Sequence, residues 1–223
     1  ELALETARFL KEKGLAFHLD MIGGGSLKAQ MEALAEDYGL GGEVAFLGYQ
    51  SPETVRPQME KADIFLFTSD RQEGWGAVAN EAMNSGCALV ADHMIGAVPY
   101  LIQDGENGMV YRSGRAEALF RCAERLVRDR ELCRSLGRKA YGTITEVWNA
   151  ENAAKQLMAL IGSVVMPSLG TERAAGEDGT GGGGKEAADF RGISPCAPCA
   201  PARVIPERYR KRIPRQKANW EEI

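Results

Sequence analysis

The sequence predicts an α/β fold: a doubly wound, Rossmann-like parallel sheet. Short apolar runs of strand length, such as Ile64–Phe67, alternate with longer segments whose apolar residues recur at helical spacing. Clusters of glycine, proline and asparagine separate the two kinds of segment. This alternation is typical of parallel α/β domains, and 223 residues are enough for one domain with a substantial core.

The first part of the chain supplies three helices and two strands. The glycines at 23–25 turn the chain between the first strand and the second helix, for which Ser26 is the expected N-cap. Ser51 and Pro52 begin the third helix, and Pro57 is expected to kink that helix or to delay its start. The predicted elements are a helix over 1–13, a strand over 16–22, a helix over 27–38, a strand over 44–47 and a helix after 51.

The second part contains the central strand and the remaining elements. Gly86 is the expected C′ residue of the helix after the central strand, and the turn residues 104–108 lead into the last strand. The predicted elements are strands over 64–67, 87–91 and 109–111, and helices over 77–85, 98–102, 115–127, 130–141 and 150–161.

Two parts of different composition divide the chain. Residues 1–162 form the predicted folded domain, and residues 163–223 form a predicted flexible, disordered tail rich in glycine and proline. Within the tail, residues 203–217 carry seven basic side chains against one acidic. This segment is interpreted either as a peripheral contact with anionic lipid headgroups or as a solvated disordered end.

Charge and cysteine usage exclude several classes of protein. Residues 1–162 carry 17 Lys and Arg against 23 Asp and Glu, which argues against nucleic acid as a partner. Five cysteines without a disulfide framework favour a reducing compartment, hence the cytoplasm. Cys196 and Cys199 have CxxC spacing, but no second pair and no preceding strand accompany them, so they predict no metal site.

The ends and the hydropathy of the chain carry further expectations. No run approaches the roughly 20 apolar residues that cross a bilayer, so any membrane contact would be peripheral, at the inner face. The chain opens with a helix-like segment rather than a secretory signal, and it lacks an initiator methionine. We therefore expect a fragment whose upstream part is missing.

The most informative stretch is the turn between the central strand and the next helix. Glu73 precedes the glycine-flanked residues 74–76, and Glu81 lies about five residues into the helix, roughly 7.5 Å along its axis. Ligands of open α/β sheets bind at the carboxyl edge of the strands, and a helix N-terminus suits a phosphate. A carboxylate can accept hydrogen bonds from both hydroxyls of a vicinal diol. A diphosphate between two such carboxylates predicts a nucleotide-sugar as the ligand.

Two other interpretations of the pair stay open on the residues alone. The spacing is one that chance allows, so Glu73 and Glu81 could be ordinary solvated side chains. A glycosidase also uses two carboxylates, but a retaining hydrolase needs them about 5 Å apart across the scissile bond. Here one carboxylate belongs to a helix, and no cluster of sugar-binding aromatic residues accompanies the pair.

Several motifs in order resemble the donor-binding domain of the retaining family 4 glycosyltransferases, which have the two-domain GT-B fold. The stretch Thr68–Val90 looks like their Glu-x7-Glu signature. Other matching segments, spread over 16–161, are FHLDMIGGGSL, VAFLGYQS, MEKADIFLFTS and DGENGMVY. The resemblance implies the C-terminal half of an enzyme of polysaccharide biosynthesis. Such an enzyme transfers a sugar, with retention, from a nucleotide-sugar to a glycan or lipid-linked acceptor.

The resemblance also implies roles for individual residues. Glu73 would be the catalytic carboxylate that supports charge or binds hydroxyls at the donor sugar, and Glu81 would hold the ribose. Trp75 could form a wall of the donor site or could be a packing residue. The other implied donor contacts are Gly74 and Gly76 through their N–H groups, and Gly23, Gly24, Gly48, Tyr49 and His93. Each of these also has a simpler interpretation in turn geometry, surface packing or structure.

The resemblance implies neither a metal nor another cofactor. In the family, basic side chains upstream of the first helix stabilise the leaving diphosphate, and an N-terminal domain binds the acceptor. Because this chain starts after both, we expect it to hold the donor and to be inactive alone. The alternative is a non-catalytic nucleotide-sugar-binding module or a truncated product. Cys87 and Tyr100 stand where many members have proline and glutamate, and they could alter donor choice.

Overall fold

The structure, a computed structural model, describes the backbone of residues 1–169 and the side chains of residues 1–163. Its elements are α1 (Leu2–Glu12), β1 (Leu19–Ile22), α2 (Lys28–Asp37), β2 (Val44–Gly48), α3 (Pro52–Lys61), β3 (Ile64–Phe67), α4 (Ala77–Asn84), β4 (Ala88–Asp92), α5 (Val98–Leu101), β5 (Met109–Tyr111), α6 (Ala116–Arg128), α7 (Arg130–Gly142), a π-helical turn (Thr143–Val147) and α8 (Ala150–Leu169). The predicted glycine linker, the Cys196 and Cys199 pair and the basic segment 203–217 lie outside the described residues.

The strands pair in parallel throughout the described part of the chain. β1 pairs with β2, where Leu19 lies opposite Val44. β3, β4 and β5 form a second sheet in that order, where Ile64 lies opposite Ala88. The predicted α/β fold with parallel strands is confirmed, although the strands are distributed over two sheets.

The main core covers both faces of the three-stranded sheet. Every residue of β4 is buried. Leu89 and Ala91 pack with α4 and α5, whereas Ala88 and Val90 pack with α6 and α7. Burial on both faces explains why this strand is a continuous apolar run as far as Asp92.

The two-stranded sheet has its own small core and is linked to the larger sheet through α1. Leu4 and Ala7 of α1 pack with buried residues of α2 and with the strands β1 and β2. α1 also reaches α6, where Phe9 stacks on Phe120 with ring centroids 5.4 Å apart. One helix therefore contributes to the packing of both sheets.

The bounds of most elements agree with the prediction to within a residue or two, and those of β3 and β5 agree fully. The start of α2 is an exception in its capping. Its N-cap is Leu27 rather than Ser26, because the Gly25 carbonyl accepts the Lys28 N–H at 3.1 Å and Leu27 already has helical backbone angles. Ser26 therefore lies one residue too early to cap the helix.

Two helices differ from the prediction, which expected a kink or a later start at Pro57 and an end at residue 161. α3 begins at Pro52 and passes through Pro57, which is exposed, so solvent can bind the carbonyl that loses its partner. α8 passes Gly162 and reaches Leu169, because one glycine costs a helix only about 1 kcal/mol. The first residues of the predicted tail are therefore helical. Among the described residues, no helix has the length and apolar character needed to cross a bilayer.

The carboxyl edges of the strands position the candidate site. Gly23 follows β1, Gly48 ends β2, Glu73 lies in the loop after β3 and His93 follows β4. Parallel strands end at the same edge of their sheet. Gly23 and Gly48 therefore share the edge of the two-stranded sheet at which α/β folds bind ligands, and Glu73 and His93 share that edge of the three-stranded sheet.

Candidate functional site

The loop after β3 is shaped by Asp70. Its carboxylate Oδ1 accepts the Gln72 N–H at 2.8 Å, and its carbonyl accepts the Glu73 N–H at 3.0 Å. These bonds turn the chain and leave Glu73 half-buried between β3 and α4. Ser69 Oγ donates to Glu73 Oε2 at 3.5 Å, a long hydrogen bond, so the carboxylate keeps the capacity to accept others.

Gly76 joins this loop to α4. It is the N-cap residue with a φ of +81°, and a Cβ at this position would lie 2.7 Å from the Phe67 ring and 3.2 Å from Glu73 Cγ. The left-handed backbone and the close ring contact together require glycine. The absence of a side chain therefore brings the start of α4 against Glu73.

Among the described residues, the start of α4 has a run of backbone N–H groups without a hydrogen-bond partner, called the open N–H groups. Within the described part of the chain, none of the backbone N–H groups of residues 74–78 donates to another group. Gly74 is exposed, and the position of its absent Cβ has open space around it. Unpaired N–H groups at a helix N-terminus, together with the helix dipole, attract an anion such as a phosphate.

The loop after β4 packs directly on the Glu73 loop. A Cβ on Gly96 would lie 1.8 Å from the Gly74 carbonyl oxygen, and the Ala97 N–H donates to the Trp75 carbonyl at 2.9 Å. Sequence reasoning placed Gly96 only in a loop. No local signal indicates a contact with a segment more than twenty residues earlier.

The Trp75 side chain belongs to an aromatic cluster. Its ring lies 5.7 Å from the Tyr100 ring and 5.8 Å from the Trp148 ring, centroid to centroid. Its Nε1–H donates to Asn80 Oδ1 at 2.9 Å. The sequence left two roles for Trp75, a wall of the donor site or a packing residue, and these contacts are those of a packing residue. Trp148 was not predicted at all, because it lies 73 positions further along the chain.

Glu81 lies on α4, four residues after its first residue Ala77, which places it roughly 6 Å along the axis. It is exposed, and in the described part of the chain no hydrogen bond or ion pair occupies its carboxylate. Along the chain, Glu73 thus precedes the open N–H groups at the start of α4, and Glu81 follows them.

A second group of predicted residues meets at the end of the two-stranded sheet. The Gly23 N–H donates to the Gly48 carbonyl at 2.8 Å, and both residues have positive φ angles. The Tyr49 ring lies over Gly24, whose Cβ would stand 2.7 Å from Tyr49 Cε2. Tyr49 is nevertheless 81% exposed. The structure therefore brings these four residues together and leaves an aromatic ring open to a ligand.

His93 faces a different recess. Its Nδ1 accepts the Ser113 N–H at 3.1 Å, which assigns the proton of the neutral ring to Nε2. Asp92 Oδ1 lies 3.3 Å from the same nitrogen but accepts the Met94 N–H, so the Ser113 bond is the better description. The recess has a volume of about 440 Å³ and is lined by His93, Val98, Pro99, Ile102, Asp104, Val110, Tyr111 and Arg112. Its lining includes no residue of the Glu73 loop.

Two titratable groups near this recess have pKa values raised above their ordinary range. Burial, and secondarily the charge of Asp92, raises the pKa of Tyr111 far above its ordinary value. Burial, followed by the charge of Asp104, raises the pKa of the Cys122 thiol. Both groups therefore stay neutral near pH 7. In the part of the chain that the structure describes, no three His, Cys, Asp or Glu side chains are grouped so that they could hold a metal ion.

Comparison with known proteins identifies the family. Residues 1–143 match the family described as Glycosyl transferases group 1. The chain belongs to this family. The matched region contains both sheets and every predicted site residue, so the expectation of a glycosyltransferase is confirmed at the level of group 1.

Relatives of this group 1 chain are longer proteins. It is 27% identical over 173 residues to LpsE, a lipopolysaccharide core biosynthesis glycosyltransferase of Rhizobium meliloti, and the alignment covers 73% of this chain and 50% of LpsE. It spans half or less of the length of the first curated relatives that it matches. Other relatives are named as a glycosyltransferase of amylovoran biosynthesis and a putative glycosyltransferase of colanic acid biosynthesis, so several relatives are assigned to polysaccharide biosynthesis.

Solved structures agree with this assignment. TarM of S. aureus, crystallised with fondaparinux, alpha-GlcNAc-glycerol and UDP, superimposes with a TM-score of 0.63 at 25% identity over 71% of this chain and 32% of TarM. The C-terminal domain of LpcC, a group 1 glycosyl transferase from Francisella tularensis, has the same fold. It superimposes with a TM-score of 0.60 at 24% identity over 67% of this chain and 78% of that domain. The predicted GT-B-type fold is confirmed.

Proposed function

We propose that this group 1 chain is the donor-binding half of a retaining, family 4 glycosyltransferase that transfers a sugar from a nucleotide-sugar to a glycan or lipid-linked acceptor. The observation that supports it most is the row of open N–H groups over residues 74–78, with Glu73 before it and Glu81 after it. Together they offer donors to a diphosphate and acceptors to the hydroxyls on either side of it. UDP is present in the TarM crystals, which fits a nucleotide donor.

In this proposal, the loop after β3 and the start of α4 bind one part of the donor, and the residues at the end of the two-stranded sheet bind the other. Glu73 binds the hydroxyls of the donor sugar, and the N–H groups of residues 74–78 bind the diphosphate. Glu81, one turn further along α4, binds the ribose. Gly23, Gly24, Gly48 and Tyr49 line the nucleoside end, where the exposed Tyr49 ring is available to a base.

The transfer step follows from this placement. The bond between the anomeric carbon and the diphosphate oxygen breaks, and the acceptor hydroxyl oxygen bonds to the anomeric carbon on the same face. The hydroxyl proton leaves with the diphosphate. Open N–H groups stabilise the negative charge that develops on the leaving group, and Glu73 stabilises the positive charge at the sugar. No metal takes part in this proposal, and donor binding should therefore be insensitive to a chelator.

The ribose assignment is tested by Glu81→Ala. A hydrogen bond to a charged group is worth about 1.5–3 kcal/mol, so the variant should bind a nucleoside diphosphate about tenfold or more weakly, while its affinity for inorganic diphosphate stays unchanged. Calorimetry of both ligands measures this. Glu36→Ala is the matched control, since Glu36 is also an exposed helical glutamate. Equal losses for the two ligands would remove Glu81 from the ribose.

The role of Glu73 is tested in turnover. With an acceptor-binding domain supplied, Glu73→Gln should lower kcat by about 10²-fold or more and change donor affinity by much less, because the lost interaction belongs to the transition state. Single-turnover transfer from a radiolabelled donor measures the rate. An unchanged kcat would exclude Glu73 from the chemistry.

A non-catalytic nucleotide-sugar-binding module is the second candidate. The observation that favours it is the run of unpaired N–H groups over residues 74–78, which supports binding of a diphosphate whether or not a transfer follows. Binding of a donor without any transfer, even with an acceptor domain supplied, would favour this candidate.

We also propose that the enzyme works in the cytoplasm at the inner membrane face through the basic segment 203–217. Equal sedimentation with anionic vesicles before and after deletion of that segment would refute this contact.

A further inference from the structure

Trp148 lies just beyond the region that matches the family, which ends at residue 143. The π-helical turn Thr143–Val147 leads to it, and its own N–H donates to the Thr143 carbonyl at 2.9 Å. The residue leaves the helical conformation, with φ −92° and ψ 60°, and α8 begins two residues later. Such π-helical turns are rare and occur frequently at functional sites.

The Trp148 ring completes the aromatic cluster around Trp75. It lies 5.8 Å from the Trp75 ring and 6.5 Å from the Tyr100 ring. The three residues come from the loop after β3, from α5 and from the turn before α8. Aromatic pairs at such distances are each worth about 0.5–1.5 kcal/mol beyond the area they bury.

Trp75 is fixed within the loop that carries the open N–H groups. Its carbonyl accepts the Ala97 N–H, and its indole donates to Asn80 one turn into α4. The direction of the neighbouring N–H groups at residues 74–78 therefore depends on where the Trp75 ring is packed. Trp148 and Tyr100 form two sides of that packing.

The turn that carries Trp148 is itself tied to the body of the domain. Buried Asn107 donates from Nδ2 to Thr143 Oγ1 at 2.9 Å and to the Leu101 carbonyl at 2.9 Å. Its Oδ1 accepts the Gln103 N–H at 2.7 Å. The start of the π-helical turn is thus held against the segment after α5, and Trp148 has little freedom to leave the Trp75 ring.

We propose that Trp148 is a positioning residue for the donor: through Trp75 it holds the N–H groups of residues 74–78 in the direction that binds the diphosphate. The proposal rests on the proposed function of that loop in donor binding. Trp148 touches no donor atom in this proposal. It affects donor binding only indirectly, because its ring packs on Trp75 and Trp75 belongs to the loop that binds the donor.

The test compares Trp148→Ala with Trp148→Phe in the full chain. The probe is whichever of UDP, GDP and ADP binds the unmodified chain most tightly in calorimetry. Loss of two ring contacts should raise its Kd about tenfold in Trp148→Ala, and Phe should restore most of the affinity because it keeps a ring in the cluster. Phe9→Ala is the control, since it removes the Phe9–Phe120 stack far from the loop and should lower the melting temperature without changing Kd.

A measurement without ligand separates this proposal from the proposed function. The chain has three tryptophans, so the indole N–H region of a ¹⁵N spectrum contains few signals to assign. Trp148→Ala should move the Trp75 indole signal and speed exchange of the Ala97 amide, whose N–H donates to the Trp75 carbonyl, and Phe9→Ala should do neither. If no diphosphate binds the unmodified chain, the proposed function fails and the exchange result still decides the contact. An unchanged exchange rate, or an unchanged Kd in Trp148→Ala, would overturn the role of Trp148.

Discussion

Substituting Gly96 by alanine should disturb the loop after β3, which we propose binds the donor, although Gly96 is not one of the proposed donor contacts. The new Cβ would lie 1.8 Å from the Gly74 carbonyl oxygen and 2.9 Å from the Gly74 carbonyl carbon. Real Cβ atoms essentially never come closer than 3.0 Å to a non-bonded heavy atom of another segment, so the loops must separate by about 1.2 Å. The neighbouring bond from the Ala97 N–H to the Trp75 carbonyl, now 2.9 Å, would be stretched or lost.

The expected cost has two parts. Overpacking of this kind costs about 1–3 kcal/mol, and a lost backbone hydrogen bond about 1 kcal/mol more. A total of about 2–4 kcal/mol would lower the melting temperature by roughly 4–16 °C in a domain of this size. A shift of about 1 Å in the N–H groups of residues 74–76 should also weaken nucleoside diphosphate binding about tenfold or more, since hydrogen bonds to charged groups are worth about 1.5–3 kcal/mol.

Thermal unfolding and calorimetry together test this reasoning. Gly41→Ala is the matched control, because Gly41 is exposed and a Cβ there meets nothing within 4 Å. The control should leave both the melting temperature and Kd close to those of the unmodified chain. If Gly96→Ala behaves like Gly41→Ala in both measurements, the two loops do not touch as described. If stability falls and Kd does not, the Gly74 loop is not the diphosphate site.

Two other expectations follow from buried groups. Asn107→Ala removes the hydrogen bonds to Gln103, Leu101 and Thr143 and should lower the free energy of unfolding by about 2–3 kcal/mol in a urea titration, and a loss below about 1 kcal/mol would contradict that network. Cys122 should be alkylated by iodoacetamide at pH 8 more slowly than a cysteine in an unfolded peptide, because its raised pKa leaves less thiolate, and its rate should climb as the pH rises further. Mass spectrometry of the peptide that contains Cys122 measures the rate, and a rate equal to that of the unfolded reference would refute the effect of burial.

The sequence predicted correctly those elements whose structure is determined by residues close together in the chain. The apolar run Ile64–Phe67 forms β3 with the predicted bounds. The helix after it ends at Asn84, with Ser85 as its C-cap and Gly86 at the expected C′ position with a positive φ. Capping at Ser26 was wrong because a tight turn at Gly25 takes up that residue, and such a turn depends on backbone angles that composition does not specify.

The candidate site divides in the same way. Glu73, Gly76 and Glu81 could be selected from the sequence, because the order of strand, glycine turn and helix determines the edge on which they lie. Gly96 and Trp148 could not, since each acts on the loop through a partner far away along the chain. A glycine in a loop and a tryptophan after a helix have many ordinary explanations until their contacts are known.

The contacts around Trp75 explain why the paired carboxylates do not by themselves define a donor site. Strand β3 and helix α4 determine where Glu73 and Glu81 lie, but neither element determines where the N–H groups between them point. That direction depends on Gly96 and Ala97 from the loop after β4, and on the rings of Tyr100 and Trp148. If the loop binds a diphosphate as proposed, variation at these supporting positions changes how that diphosphate is held while both carboxylates stay in place.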